Sequence, residues 1–282
     1  MKKLLSLLGL SLILFTSCSK DDQLTPTVPA EAGVLSLNFD AVYGDQDFAL
    51  NKAFDYDLTN STGSHKLTYE FNTLRYWVSN VILVNQAGVE YSVPDAYYLV
   101  EENIAQNVQE GSFNKVYPAN KRETITIKDI PVGDYKAIKF SIGVDPKYND
   151  NLTLRAGELN TLAAMANENW MWFTSYIFTS TSGKVTWLKT APETSETKNF
   201  KFDTGSNNMY KQKTIVLASP MSISADHHAK VNLTVDAKKI VDFEFPMTDN
   251  IVGASKVALM NRLTDNYLSK AITFKSVETL KN

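Results

Sequence analysis

The chain has 282 residues, of which 44% are hydrophobic and 21% are charged. These are the proportions of an ordinary globular protein, and they exclude a disordered, collagen-like or coiled-coil chain. The 28 basic and 31 acidic residues give a net charge of −3. Because nucleic-acid-binding domains normally carry an excess of positive charge, nucleic acid is not an expected partner.

The first residues have the features of a secretory signal peptide. Lys2 and Lys3 precede an apolar run over residues 4–15, which is shorter than the roughly 20 apolar residues of a transmembrane helix. The four residues that end at Cys18, Phe-Thr-Ser-Cys, resemble a bacterial lipobox, in which the cysteine is acylated and becomes the first residue of the mature protein. We therefore predict a lipoprotein signal peptide at residues 1–17 and anchoring to a lipid bilayer through acylated Cys18. The alternative for Cys18 is an ordinary buried or reactive thiol.

Residues 18–32 are predicted to form a lipidated tether. Asp21 and Asp22 follow Cys18 closely, and this arrangement resembles the acidic tract of surface-exported lipoproteins in Bacteroidota-type bacteria. It predicts an outer-membrane lipoprotein exposed at the cell surface, with a periplasm-facing lipoprotein as the alternative. Pro26 and Pro29 are typical of an extended linker, so a plain solvated tether is the simpler interpretation of the same residues.

Residues 33–282 are predicted to form a single domain built mostly of β-strands. Apolar and polar residues alternate in many short segments, which is typical of strands with one buried face. Turn sequences at residues 85–88 and 131–134 supply the backbone freedom that hairpins need. The predicted strand segments are residues 34–39, 67–71, 76–78, 79–84, 97–100, 124–127, 135–144, 170–180, 200–202, 214–217, 230–235 and 272–277.

Helical signals are confined to two short segments, at residues 156–167 and 255–265. Many strands without a regular alternation of strand and helix favour two packed antiparallel sheets. The expected fold class is therefore all-β, an antiparallel β-sandwich with one or two short helices.

The sequence contains no familiar catalytic motif, and Cys18 is its only thiol. Of its three histidines, His227 and His228 are predicted to be solvated turn residues and His65 a surface hairpin residue. His227 and His228 are adjacent, so on an extended strand they point to opposite faces and do not chelate one metal ion together. We expect a protein that is not an enzyme. A hydrolase with carboxylates brought together across strands is a remaining alternative.

The most unusual local feature is the aromatic segment at residues 169–178. On a strand, Trp170, Trp172 and Thr174 share one face. Large aromatic side chains commonly fill the centre of a sandwich, so packing in the core is the simpler interpretation of this segment.

Four segments in chain order carry a family resemblance. They are Leu-Arg-Tyr-Trp-Val-Ser-Asn at 74–80, Pro-Val-Gly-Asp-Tyr at 131–135, Phe-Ser-Ile-Gly-Val-Asp at 140–145 with Asn149 and the Ala-Gly-Glu-Leu segment from Ala156, and the Trp-rich segment that ends in Tyr-Ile-Phe at 176–178. Together they resemble the MbnP family of periplasmic copper-binding proteins over roughly residues 35–274. The resemblance implies a β-sandwich, in agreement with the strand pattern.

The resemblance also implies a copper site. In family members that bind copper, a partner di-haem enzyme oxidises a tryptophan of the Trp-rich strand to kynurenine, and histidines complete a Cu(I) site. Trp170 or Trp172 is the implied position here, and a di-haem peroxidase-like enzyme is the implied partner. The family usually has histidines where this chain has Ala41 and Asp203. Cu(I) prefers imidazole or sulfur ligands to carboxylate, so these two positions count against copper.

The predicted metal site consists of Trp170, Trp172 and Asp203. Asp203 is also a candidate ligand for a harder cation, together with Asp145 and Asn149, because such ions collect carboxylate and amide oxygens. Both aspartates are followed by turn sequences, and ordinary turn formation explains them equally well.

The combined prediction is a membrane-anchored MbnP-like lipoprotein that binds copper through its Trp-rich strand, although the expected histidines are absent. The alternative is a cell-surface β-sandwich that binds a glycan, a peptide or a membrane partner without metal. Exposed aromatic side chains often mark such binding surfaces, and the candidates are Tyr97, Tyr98, Trp187 and Tyr210.

Overall fold

The computed structural model of the chain describes residues 31–61, 63–110, 113–159, 165–170, 173–242 and 245–281. Most of these residues form β-strands, which assemble into two packed sheets and one separate hairpin. The strands are β1 (Ala32–Tyr43), β2 (Gln46–Asp47), β3 (Ala53–Asn60), β4 (Gly63–Asn85), β5 (Glu90–Ser92), β6 (Tyr97–Asn103), β7 (Gln106–Glu110), β8 (Phe113–Tyr117), β9 (Asn120–Arg122), β10 (Thr124–Pro131), β11 (Gly133–Ile142), β12 (Ala166–Trp170), β13 (Phe173–Leu188), β14 (Glu196–Gly205), β15 (Lys211–Ile223), β16 (His227–Asp236), β17 (Ile251–Val252) and β18 (Ile272–Lys281).

The helices are short. They are α1 (Pro146–Asn149), α2 (Ala237–Ile240) and α3 (Val257–Asp265), with a 3-10 turn at Asn207–Met209 and a π-helical turn at Asn266–Ala271. Among the described residues, no helix has the length and apolar character required to cross a membrane.

The smaller sheet has the strand order β10-β1-β16-β18, and β2 pairs with the end of β1. β1 and β16 run parallel, with Leu35 opposite Ala229, whereas the other pairs in this sheet are antiparallel. Leu35, Leu37 and Phe39 alternate along β1 and are fully buried. This period of two directs the apolar face of the sheet into the sandwich.

The larger sheet is organised around β4, which has 23 residues. Along one edge β4 pairs in turn with β3, β6 and β5, and along the other edge it pairs first with β13 and then with β11. Beyond these neighbours lie β15 on β11, β14 on β13 and β9 on β6. One very long strand therefore supports most of the sheet. It also creates a junction, near residues 76–80, where β13 gives way to β11.

The space between the sheets is filled largely by aromatic rings. Phe39 of the smaller sheet meets Tyr76 and Phe140 of the larger sheet edge-on, at centroid distances of 6.0 and 5.6 Å. Phe71 and Phe200 form a second contact at 5.6 Å. Such edge-to-face contacts contribute about 0.5–1.5 kcal/mol each beyond the area they bury. This core stabilises a domain that has no cysteine after Cys18 and hence no internal disulfide.

The predicted all-β sandwich is confirmed. The segments predicted at 67–71, 76–78 and 79–84 are parts of the single strand β4, and the hairpin at residues 85–88 connects β4 to β5. The turn at 131–134 was expected to form a hairpin, and that prediction is wrong. β10 pairs within the smaller sheet and β11 within the larger, so this turn carries the chain from one sheet to the other.

The helix predicted over residues 156–167 is absent from its described part. Residues 157–158 form a turn, and Ala166 already belongs to β12. Gly157 has a φ of +51°, and a Cβ atom there would lie 2.3 Å from the carbonyl oxygen of Asp95. The Glu158 N–H donates to the Tyr97 carbonyl at 3.0 Å, so tertiary contact with β6 overrides the helical spacing. The other predicted helix is confirmed as α3.

Candidate functional site

Residues from the family-like segments meet at the place where β4 passes from β13 to β11, which we call the β4 junction (residues 77–80, 141–149 and 176–178). The Ser79 hydroxyl donates to the Gly143 carbonyl at 2.7 Å, and the Gly143 N–H donates to the Trp77 carbonyl at 3.0 Å. Gly143 has a φ of +106°, and a Cβ atom there would lie 2.4 Å from the Phe178 ring. Only glycine fits here, because the backbone is left-handed and the ring is in contact with it.

Asn80 and Asp145 form the polar side of the β4 junction. Asn80 has a φ of +49°, and its amide donates to the Asp145 carboxylate at 3.2 Å and to the Tyr210 hydroxyl. The Tyr97 hydroxyl also donates to Asp145. Burial and this hydrogen bond raise the pKa of Tyr97, so the phenol stays protonated and remains a donor.

Asn149 closes the β4 junction. Asp145 caps α1 by accepting the Lys147 N–H at 3.1 Å, which places Asn149 at the end of that turn. The Asn149 side-chain oxygen accepts the Tyr176 N–H at 2.9 Å, and its amide donates to Asn207 at 2.8 Å. A buried amide thus ties the segment after β11 to the beginning of β13.

Trp77 lies in the interior of the β4 junction, where its ring meets Tyr176 edge-on at 5.9 Å. The indole Nε1 of Trp77 and the hydroxyl of Ser141 are buried, and neither has a hydrogen-bond partner in the part of the chain that the structure describes. Buried polar groups are normally paired. The β4 junction therefore has unused hydrogen-bonding capacity in its interior.

The structure describes the predicted Trp-rich strand only in part. Trp170 is the last residue of β12, which pairs with β13 through the register Trp170 to Phe173. The side chain of Trp170 and the whole of Trp172 lie outside the described residues. The predicted common face of Trp170 and Trp172, and the question of whether they line a pocket or the core, stay predictions. The same holds for Cys18 and the signal peptide at 1–17, which also lie outside the described residues.

Asp203 is buried in β14 and already has partners. Ser180 donates to its carboxylate at 2.7 Å, and the Lys201 ammonium lies 3.2 Å from the other oxygen. Burial raises the pKa of Asp203, and Lys201 and Ser180 partly oppose that rise. Ala41 lies buried in β1 of the opposite sheet and offers no ligand atom.

The residues proposed for metal binding do not share a ligand set. Asp203 bonds Ser180 and Lys201, whereas Asp145 bonds Asn80, Tyr97 and the backbone of Lys147. Within the described ranges, no group of three or more His, Cys, Asp or Glu side chains is placed to hold a metal ion. Positions 41 and 203 do not supply ligands that suit Cu(I). Ala41 has no ligand atom, and Asp203 is a carboxylate paired with Lys201.

Sequence reasoning missed a buried ion pair in the larger sheet. Arg75 and Glu101 are 1% and 5% exposed, and the guanidinium Nε lies 2.8 Å from the carboxylate. Tyr117 and Asn120 also donate to Glu101, at 3.0 and 2.7 Å. The signal was an arginine between Leu74 and Tyr76 in the middle of a strand, where a buried charge requires a partner.

The predicted exposed aromatic surface is wrong. Tyr97 is buried against Tyr148 at 5.0 Å, and Tyr98 and Tyr210 are partly buried. Trp187 is partly buried beside His65 and Phe245, at 5.4 and 5.3 Å. Tyr97, Tyr98 and Trp187 lie on strands and Tyr210 directly precedes β15, and all four rings take part in local packing.

The histidines agree with the sequence only in part, since His65 lies in a hairpin as predicted whereas His227 and His228 lie on a strand and not in a turn. His65 is the third residue of β4, and it pairs with Leu58 across the β3–β4 hairpin. His227 and His228 are the first residues of β16 and are partly buried. Their adjacent positions on an extended strand agree with the expectation that they point to opposite faces.

The fold and the β4 junction define an all-β sandwich protein whose polar site is made of amide, phenol and carboxylate groups. The chain belongs to the MbnP family, whose family model matches residues 32–260. Among solved structures it is similar to MbnP from Methylosinus trichosporium, with 14% identity, a TM-score of 0.40, and coverage of 72% of this chain and 76% of that chain. No curated protein matches the sequence.

Proposed function

We propose that this protein is a lipid-anchored member of the MbnP family that acts as a binding protein and not as an enzyme. Family membership over residues 32–260 is the observation that carries the proposal. The lipobox-like sequence at Cys18 supports export and acylation, and the acidic residues after it support display on the outer membrane. The β4 junction supports a binding role because hydrogen bonds organise its residues around two buried donors, Trp77 Nε1 and the Ser141 hydroxyl, that have no partner among the described residues.

Copper is the first ligand to test, at the strand that carries Trp170 and Trp172. This choice comes from the family, in which a modified tryptophan takes part in the copper site. Ala41 and Asp203 give no support to it, because neither has a free ligand atom suited to Cu(I). A copper site in this protein therefore depends on the Trp-rich strand, and a di-haem peroxidase-like enzyme is the proposed partner that would modify it.

The experiment is intact mass spectrometry and metal analysis of the mature protein from its native host. Acylation at Cys18 and conversion of a tryptophan to kynurenine both change the mass, and copper is counted per chain. Trp170→Phe and Trp172→Phe are expected to remove the copper and the modification. Trp187→Phe is the matched control, because Trp187 packs against His65 and Phe245 on a different strand segment.

A second candidate function is binding of a protein or glycan partner without metal. The ion pair between Asp203 and Lys201 favours this metal-free candidate, because the Lys201 ammonium already neutralises the carboxylate that a metal ion would need. An acylated, metal-free and unmodified chain would select this candidate over copper. An unacylated chain would contradict the lipid anchor in both.

A further inference from the structure

We propose that one end of the sandwich rests on the lipid bilayer through an apolar groove. This inference rests on the proposed lipid anchor at Cys18. It adds an interaction surface, a partner of defined chemistry and an orientation of the domain relative to the membrane.

The groove lies between the β4–β5 turn and the β10–β11 crossover and has a volume of about 570 Å³. We call this end of the sandwich the proximal end. Two valines at its rim are exposed, with 63% of Val89 and 38% of Val132 accessible to solvent. Val89 lies in the β4–β5 turn and Val132 in the crossover, so the two apolar side chains stand on opposite walls of the groove. The other apolar and aromatic lining residues include Ala87, Tyr91, Pro131 and Tyr135.

The tyrosines give the groove an amphipathic lining. The Tyr91 hydroxyl donates to the Asp129 carbonyl at 3.3 Å, and the Tyr135 hydroxyl donates to the Pro131 carbonyl at 2.7 Å. Each phenol therefore satisfies its polar atom. Tyr135 is only 4% exposed and belongs to the core behind the groove, so Tyr91, which is partly exposed, is the ring available at the surface. Aromatic side chains of this kind favour the boundary between headgroups and acyl chains.

The charged residues among those that line the groove are acidic, Glu90 and Asp134. Lys139, outside the lining, pairs with Glu90 at 2.6 Å, and the Lys136 ammonium donates to the Gln86 carbonyl at 3.1 Å. A lining without basic side chains does not depend on attraction to anionic lipids, so neutral and zwitterionic lipids are the expected surface.

The entry point of the chain places the lipid anchor at the same end. Ala32, the first residue of β1, pairs with Pro131 in the wall of the groove. About 13 residues separate Ala32 from Cys18, so the anchor lies at most about 45 Å from the groove. β4 runs from the far hairpin to the groove over 23 residues, which is about 75 Å for a straight strand. The tether thus keeps the proximal end close to the bilayer.

The tether also makes weak binding sufficient. Attachment through a short tether raises the effective concentration of the groove at the membrane surface to about the millimolar range. The two exposed valines and the partly exposed ring of Tyr91 are the groups that hold the proximal end against the lipid. The far end, with the β3–β4 hairpin and Leu188, remains directed away from the membrane.

The test uses the acylated full chain in phosphatidylcholine vesicles, with a nitroxide label attached at Val132→Cys. Leu188→Cys is the control label, because Leu188 is 43% exposed and pairs with Lys66 near the far hairpin. Acylated Cys18 does not react with the label, so the introduced cysteine is the labelled thiol. We expect the label at 132 to be several-fold more accessible to oxygen, which partitions into lipid, than to a water-soluble nickel chelate, and the label at 188 to show the reverse.

Val89→Asp is the disrupting variant, and Ile251→Asp is its matched control, since Ile251 is 53% exposed and pairs with Lys201 of β14, away from the groove. Val89→Asp is expected to shift the label at 132 towards the aqueous values, whereas Ile251→Asp leaves it unchanged. Aqueous values at both labels, while the protein floats with the vesicles, would overturn the inference and would indicate a different occupant of the groove. A chain that does not float would overturn the lipid anchor itself, and with it both the proposed function and this inference.

Discussion

The side-chain oxygen of Asn149 accepts the backbone N–H of Tyr176 at 2.9 Å, across 27 residues of sequence. Through this bond the chain that leaves β11 is attached to the beginning of β13. Asn149 is only 2% exposed, so water does not replace the bond when it is lost. The β4 junction therefore depends on one buried amide.

Asn149→Ala is expected to destabilise the domain. It leaves the Tyr176 N–H buried without its acceptor, which costs about 1–3 kcal/mol in the free energy of unfolding. Urea denaturation of the two proteins measures the difference. Asn151→Ala is the control, because Asn151 is exposed and its side chain accepts only local bonds from Thr153. Equal stabilities for the two variants would contradict the role given to Asn149.

Gly143→Ala is expected to be one of the more damaging small substitutions in the chain. The added Cβ atom would lie 2.4 Å from the Phe178 ring at a φ of +106°, so backbone strain and overpacking act together. We expect a loss of about 3 kcal/mol in the free energy of unfolding.

Gly63→Ala is the matched control for this substitution. Gly63 also has a positive φ, of +125°, but nothing lies within 4 Å of the added Cβ atom. It reports the backbone strain alone, so the difference between the two melting temperatures gives the contribution of the ring. If Phe178→Leu does not relieve part of the Gly143→Ala loss, the contact with the ring is not its cause.

Glu101→Gln is expected to destabilise the larger sheet. It removes the charge that compensates Arg75, which is 1% exposed, and breaking one partner of a buried pair costs about 3–5 kcal/mol. Arg75→Met combined with Glu101→Leu removes both charges and should cost less than Glu101→Gln alone. The exposed pair of Lys211 and Asp265 is the control, where Asp265→Asn should change stability by about 0–1 kcal/mol. Chemical denaturation checks all three variants.

Asp203→Asn is expected to alter how stability depends on pH. The pKa of Asp203 is raised by burial, so the folded state holds a proton that the unfolded state releases as pH rises above the usual aspartate range. The charged carboxylate therefore lowers stability above that window, by about 1.4 kcal/mol for each unit by which the pKa is raised. Asparagine resembles the neutral form and lacks this loss.

Denaturation curves recorded from pH 3 to pH 8, in steps of about half a pH unit, measure the difference in unfolding free energy between the two proteins. This range includes the pH at which aspartate titrates. The gain of Asp203→Asn over the natural protein should be smallest at the acid end and should grow as pH rises. Lys201→Met removes the ammonium that opposes the raised pKa, so it should widen the pH window. Parallel curves for Asp203→Asn and the natural protein would show that Asp203 does not titrate as described.

Much of the fold was predictable because strand signals are local. The alternation in residues 34–39 and the turn at 85–88 predict their elements correctly, since a buried face and a tight turn depend on adjacent residues. The described ends of the segment predicted as a helix, residues 156–159 and 165–167, are not helical, because the spacing of apolar residues does not reveal that Gly157 lies against Asp95. Contacts between distant segments decided that element.

The candidate site was predictable only as a set of segments. The residues around Trp77, Asp145 and Tyr176 were singled out by resemblance, and the hydrogen bonds of Asn80 and Asn149 join them. The aromatic side chains predicted to be exposed, including Tyr97, are covered by neighbouring strands. A hydrophobic residue in a strand has the same local signature whether its face is covered or free, so sequence patterns do not separate the two.

The sequence by itself determined the all-β class and the family resemblance, and it predicted a single domain and a lipid anchor at Cys18. These features depend on composition, on a period of two along the chain and on short contiguous motifs. The tertiary structure alone decided that β4 carries strands on both edges, that Asp203 is paired with Lys201 and that Arg75 is buried against Glu101. Strand pairing and charge compensation join residues that are far apart in the chain, and only the folded backbone brings them within a few ångströms of each other.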